Sequence, residues 1–174
     1  MDMTDGYPFI FQMNDYGGAD SYLEYALQYR FKSAKSNHTY IVRVERYIEH
    51  TYCLKFFDKA NTLSTNKFSL RSATFEPRTI FYTLLNIMLD VLKRDERASF
   101  FFIGANDEKD EPGETTRRFK VYCRFVSSVV SEKVFSHHRN NSLSLYILAN
   151  KAHVADIDTY VRTITEKVRI EMAH

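Results

Sequence analysis

The residues best suited to binding chemistry lie where an apolar strand leads through a loop into a helix start. They are Gly104, Asn106, Thr115, Thr116, Arg117 and Arg118. At a helix start, free backbone N–H groups together with hydroxyl and guanidinium groups can converge on an anion such as a phosphate. The spacing of these residues matches no phosphate-loop signature. We therefore treat the junction as a candidate anion-binding site. Whether its groups converge on one point depends on how the chain folds.

The loop inside this junction offers a competing explanation for its arginines. Residues 105–114 contain five acids and one lysine. Charged surface loops are usually solvated or locally paired, which favours pairing of Arg117 and Arg118 with these acids. The acids could instead hold a hard divalent cation, but their spacing does not follow an EF-hand loop. We expect neither a metal ion nor a cofactor.

A second group of residues, Arg124, His137, His138 and Arg139, combines imidazole with cationic side chains. An imidazole beside a cation can act as acid or base on a phosphodiester. Adjacent residues of a strand point to opposite faces, however, so His137 and His138 would not reach the same bond. We interpret the group as a basic and histidine-containing surface patch, and we predict no catalytic residue.

Composition is that of an ordinary globular protein. The 174 residues suit one domain, and we expect a partly ordered leader at 1–25 followed by a single domain at 26–174. Cys53 and Cys123 each lie in an apolar pattern, which is typical of free buried thiols in a reducing compartment. The first residues lack the pattern of a signal peptide, and no apolar run is long enough to span a bilayer. These features predict a cytoplasmic protein with no membrane partner.

The elements that must position the candidate residues begin with a long helix. Pro77 suits the first turn of that helix, and apolar residues recur at helical spacing from Ile80 to Leu92. The apolar run at 98–103 then predicts a strand that is buried on both faces. We expect this helix and this strand to form the centre of the core.

Strand-like patterns precede the helix. Apolar and polar residues alternate with a period of two between residues 27 and 57, which predicts three strands in an antiparallel meander. The apolar piece at 7–11 is expected to lie on the body of the protein, and Phe68 with Leu70 indicates a short edge strand.

The second half of the chain contains one ambiguous segment. Residues 117–131 fit both a strand and a helix, and we favour the helix because its pattern spans more turns. A hairpin with a turn at Asn140 and Asn141 follows, and Asp156 is a good N-cap for a closing helix. The predicted fold class is therefore α+β, with a mainly antiparallel sheet formed by the meander, the central strand and the hairpin, and about three helices packed on it.

These patterns together resemble a group of small bacterial proteins classed as domains of unknown function. The resemblance rests on the meander, the helix opened by Pro77, the strand ending in Phe-Phe-Ile-Gly-Ala-Asn-Asp, the segment 117–122 and the late Leu-Tyr-Ile-Leu strand. It covers most of residues 26–170. It implies a bacterial, cytoplasmic, single-domain protein with an arginine-rich helix start, and it implies no activity.

Charge and pattern leave three classes of function open. Positions 1–26 contain five acids and no lysine or arginine, whereas 115–139 contain six lysines or arginines and one acid. We favour a non-enzymatic interaction module, regulatory or defence-related, whose target is a protein partner. An exposed edge strand would also allow two copies of the chain to dimerise. The first alternative is nucleic-acid or nucleotide-phosphate binding through the basic 117–139 region. The second alternative is a small hydrolase or nuclease.

Overall fold

The computed structural model describes residues 5–16, 23–63, 76–104 and 117–172. The chain divides into two compact units, Met1–Ala98 and Ser99–His174. The α+β class predicted from the sequence is confirmed, because the described residues form seven strands, paired antiparallel within each unit, and three α-helices.

The first unit contains a four-stranded antiparallel meander followed by a helix. The strands are β1 (Phe9–Asp15), β2 (Tyr25–Lys32), β3 (Thr39–Tyr47) and β4 (Thr51–Asp58), and each pairs with the next along the chain. A short 3-10 helix, Lys59–Asn61, follows β4. The predicted meander is confirmed, and β1 extends it by one strand drawn from the predicted leader.

The helix of the first unit, α1 (Pro77–Arg94), begins and ends as its sequence predicts. Pro77 lies in its first turn, and Lys93 and Arg94 lie in its last turn, where the helix dipole favours cations. The apolar spacing places Ile87 and Val91 on a fully buried face. Asp95 ends the helix, and its backbone N–H donates to the carbonyl of Val91 at 2.8 Å.

The second unit contains three strands and two helices. The elements are β5 (Ser99–Ile103), α2 (Arg117–Val129), β6 (Phe135–Asn140), β7 (Leu145–Asn150) and α3 (Ile157–Met172). Strand β7 lies between β5 and β6 and is antiparallel to both. The helix favoured for the ambiguous segment is confirmed as α2, and the predicted hairpin is confirmed as β6 and β7.

Two further sequence predictions are confirmed locally. The backbone N–H of Thr159 donates to the Asp156 carboxylate at 3.1 Å, so Asp156 caps α3. Cys53 and Cys123 are both free and buried.

One predicted strand lies in a part of the chain that the structure does not describe, and one prediction concerns membrane-spanning helices. The edge strand suggested by Phe68 and Leu70 falls outside the described residues. No helix in the described part of the chain is both long enough and apolar enough to cross a membrane.

Candidate functional site

The candidate anion site is only partly within the described residues. Gly104 directly follows the last residue of β5, and its backbone N–H donates to the carbonyl of Ser144 at 2.8 Å. Arg117 is exposed and is the first residue of α2, and Arg118 is half-buried. Asn106, Thr115, Thr116 and the acidic loop residues fall outside the described residues. The convergence of these groups on an anion therefore stays a prediction.

The basic and histidine-containing patch is divided between the two faces of the β6–β7 hairpin. The Nδ1 of His137 lies 2.6 Å from the Tyr146 hydroxyl, whereas the Nε2 of His138 lies 2.7 Å from the Ser136 hydroxyl. Burial lowers the pKa of both imidazoles, and for His138 the charge of Asp158 opposes that shift. The structure does not bring the two histidines to one point.

The two arginines of that patch also differ in their surroundings. The guanidinium of Arg139 lies over the ring of Phe119, 5.4 Å from its centroid, and the Nε of Arg139 donates to the Asn141 side chain at 2.6 Å. Arg124 is exposed on α2. The geometry of the patch supports a surface role better than acid–base catalysis, because each histidine is held by a hydroxyl on its own face of the hairpin.

A groove in the first unit was not predicted from the sequence. The chain leading into β1 lies against α1, where the backbone N–H of Tyr7 donates to the Thr83 hydroxyl at 2.8 Å. The Tyr7 hydroxyl donates to the buried carboxylate of Glu76 at 3.0 Å. Gly6 allows this close approach, because a Cβ at that position would lie 2.8 Å from the backbone nitrogen of Thr83.

This contact leaves an open, mainly apolar groove of about 780 Å³ beside the helix. The groove is lined by Gly6, Tyr7, Pro8, Phe9, Asn86, Leu89, Asp90, Leu92 and Lys93. Asp90 is already engaged, since it accepts hydrogen bonds from Tyr29 at 2.7 Å and Arg94 at 3.1 Å. Lys93 is exposed and forms no ion pair with a carboxylate of the described residues. The charge that the groove offers to a ligand is therefore positive.

Strand β1 forms the outer edge of the meander, since it pairs with β2 alone among the described strands. Its residues Phe9 and Phe11 pack edge-on against Tyr29, with ring centroids 5.7 and 5.3 Å away. Ile10 and Met13 are 55% and 47% exposed. A register shift between Phe11 and Met13 places Met13 opposite Gln28 and Ile10 opposite Arg30, so both lie on the other face of the strand.

The sequence of β1 contains little of the usual protection of an edge, namely the register shift and the charge of Asp15 at its end. The segment Phe-Ile-Phe-Gln-Met-Asn-Asp has no lysine, arginine or proline. Its run of apolar residues was the one signal in the sequence that could have indicated an exposed, pairing-competent strand. The register shift breaks the period-two pattern, so the sequence predicts only an apolar piece of a leader here.

Two histidine–aspartate pairs in the first unit were also missed. His38 Nδ1 lies 2.5 Å from Asp58, and His50 Nδ1 lies 2.7 Å from Asp95. Tyr52 donates a further hydrogen bond to Asp95 at 2.9 Å. His50 adopts a left-handed backbone conformation with φ of 60° in the turn between β3 and β4. These pairs tie turns to neighbouring elements.

Comparisons with protein-family models, with curated proteins and with solved structures found no match for this chain.

Proposed function

We propose that this protein is an interaction module that binds an extended segment of a partner protein by strand addition to β1. The observation that carries this proposal is that the apolar groove lies directly beside β1, whose outer edge pairs with no other strand of the described residues. An extended peptide that pairs with an exposed sheet edge gains affinity from backbone hydrogen bonds, and pockets for alternate side chains give it specificity.

The two faces of β1 suit the two faces of such a peptide. Side chains on one face of the added strand would meet the groove, where Phe9, Leu89 and Leu92 present apolar surface. Side chains on the opposite face would cover Ile10 and Met13. Because successive side chains of a strand alternate between its faces, the partner segment should carry apolar residues on both sides over several positions.

Charge gives the partner segment a further property. Lys93 lies in the lining of the groove and is exposed, so a carboxylate of the peptide can approach it without displacing an existing ion pair. We therefore propose that the partner segment is extended, apolar and acidic at one end.

Phage display of random linear peptides of about ten residues tests this proposal. The full chain should enrich apolar peptides with an acidic residue or a free carboxylate near one end. The double variant Ile10→Lys/Met13→Lys should bind the enriched peptides about tenfold or more weakly. The matched control is Ile170→Lys, which makes the same kind of exchange at an exposed position of α3.

Amide hydrogen exchange gives the second measurement. Bound peptide should slow the exchange of β1 amides, because the added strand pairs with their free edge. Failure to enrich any peptide, or enriched peptides that bind the double variant as tightly as the wild type, would overturn the proposal. A concentration-dependent dimer that the same double variant dissociates would assign the edge to a second copy of the chain and would overturn it as well.

A further inference from the structure

We infer that the exposed face of α2 binds the phosphate backbone of a nucleic acid. This inference concerns the second unit and does not depend on the peptide groove. It rests on a row of cations, Arg117, Lys120 and Arg124, that we call the α2 stripe. All three residues are exposed.

Helical spacing puts the three cations of the α2 stripe on one side of the helix. Positions 117, 120 and 124 are three and four residues apart, which brings successive side chains onto neighbouring turns of the same face. The buried residues Phe119, Cys123 and Val126 lie on the opposite face. The α2 stripe therefore points away from the side of the helix that packs in the protein.

Within the described residues, no carboxylate neutralises the positive charge of the α2 stripe. Helix α2 contains no acidic residue over its 13 positions. Arg117, Lys120 and Arg124 form no ion pair with any carboxylate of the described residues, whereas Arg43, Arg46 and Lys55 of the first unit each do. Neutralising phosphates with such cations releases condensed counterions, and this release is the main source of sequence-independent affinity for nucleic acids.

The length of the α2 stripe favours a nucleic acid over an acidic peptide. Seven residues of helix rise by about 10 Å, and a nucleic acid strand carries a charge about every 3.4 Å along its axis, so about three phosphates match the stripe. Carboxylates on one side of an extended peptide recur only about every 7 Å. The guanidinium groups of Arg117 and Arg124 also suit bidentate contact with phosphate oxygens.

The composition of the same face argues against a membrane surface. Amphipathic helices that lie in a bilayer interface insert large apolar side chains. The large apolar side chains that are exposed in the described part of the chain are Ile10, Met13, Tyr16, Ile48, Leu63, Val134 and Ile170, and none of them lies on α2.

Fluorescence anisotropy with labelled mixed-sequence RNA and DNA oligonucleotides tests the inference. The full chain should bind with a Kd of about 1–100 μM, and log K should fall with log salt with a slope of about −2 to −3, as expected for three phosphate contacts. The triple variant Arg117→Glu/Lys120→Glu/Arg124→Glu should bind at least about tenfold more weakly. The triple variant to Gln should show a smaller loss in the same direction, and it covers the case in which the Glu variant fails to fold.

The matched control changes three exposed cations of the second unit that lie outside α2, namely Lys133, Lys151 and Arg162, to Glu. It carries the same change in net charge and should bind at least about tenfold more tightly than the α2 variant. Equal losses in the two Glu variants, or no salt-dependent binding by the wild type, would overturn the inference. Tighter binding of poly-glutamate or of phosphatidylserine vesicles than of either oligonucleotide would assign the stripe to another class of partner and would also overturn it.

Discussion

We expect the hydrogen bonds that the Asp95 carboxylate accepts to contribute strongly to the stability of the first unit. Asp95 follows the last residue of α1 and accepts hydrogen bonds from His50, Tyr52 and the backbone N–H of Arg97, at 2.7, 2.9 and 3.1 Å. These bonds join the helix end to the turn between β3 and β4 and to the start of β4. Replacing Asp95 with Ala removes all three acceptor contacts at once.

The size of this effect follows from the burial of the donors. Tyr52 is 1% exposed, so water cannot readily replace its lost acceptor. The side chain of His50 is 35% exposed, and water can compensate for most of its loss. A hydrogen bond to a charged group contributes about 1.5–3 kcal/mol, so we expect Asp95→Ala to lower the free energy of unfolding by about 2–3 kcal/mol.

Denaturant unfolding at neutral pH measures this effect. A double-mutant cycle with Tyr52→Phe shows how much of it comes from the hydrogen bond between Tyr52 and Asp95. The two substitutions should be non-additive by about 1 kcal/mol, because each removes the same hydrogen bond. A destabilisation by Asp95→Ala below about 0.5 kcal/mol, or full additivity with Tyr52→Phe, would refute the reasoning.

The Asp95 carboxylate should also make the free energy of unfolding depend on pH in the acidic range. Burial alone would raise the pKa of Asp95, but hydrogen bonds from His50 and Tyr52 outweigh burial and lower it. A lowered folded-state pKa adds stability that is fully present above the unfolded-state value of about 4 and is lost as pH falls through the folded-state value. The stability gap between the wild type and Asp95→Asn should therefore narrow as the pH falls below about 4. A gap that is unchanged at pH 3 would contradict this.

Two further experiments test the core and the cysteines, and a third tests the groove. Ile87→Ala should cost about 2–5 kcal/mol in denaturant unfolding because Ile87 is 0% exposed, and equal midpoints for Ile87→Ala and the exposed control Lys93→Ala would contradict its place in the core. Cys53 and Cys123 should react with about two equivalents of thiol reagent after denaturation without reductant, and recovery of none would indicate a disulfide. Gly6→Ala should weaken peptide binding, because its Cβ would meet backbone atoms of α1 at 2.8 and 2.9 Å, and unchanged affinity would dissociate Gly6 from the groove.

Elements with strong periodicity could be predicted from the sequence alone. Helix α1 was predictable because its apolar residues recur at helical spacing between Pro77 at its start and two cations at its end. Helix α2 was harder, since its segment also alternates like a strand. The structure shows why the helical interpretation was correct: Phe119, Cys123 and Val126 are all buried on one helical face, while Lys120 and Arg124 are exposed.

The groove and the polar clusters could not be predicted, because they depend on residues far apart in the chain. Tyr7 and Glu76 are separated by 69 positions, and Tyr52 and Asp95 by 43. Neither pair has a local pattern that indicates its partner. The strand β1 was missed for a different reason, because the register shift between Phe11 and Met13 breaks the alternation by which a strand is recognised.

Residues 6–9 line one side of the apolar groove, and we call them the groove wall. The contacts that hold the groove wall in place affect how a partner would bind. The chain at 5–9 is held to α1 and its N-cap Glu76 by hydrogen bonds of Tyr7 to Thr83 and Glu76, and by an exposed ion pair between Asp5 and Arg78 at 3.1 Å. Strand β1 has a single paired neighbour in the described part of the chain. Elements with few backbone partners open at low free energy, so the wall and β1 are expected to open locally before the rest of the first unit. An added peptide strand would give β1 a second ladder, and part of the binding energy would then be used to order the groove wall.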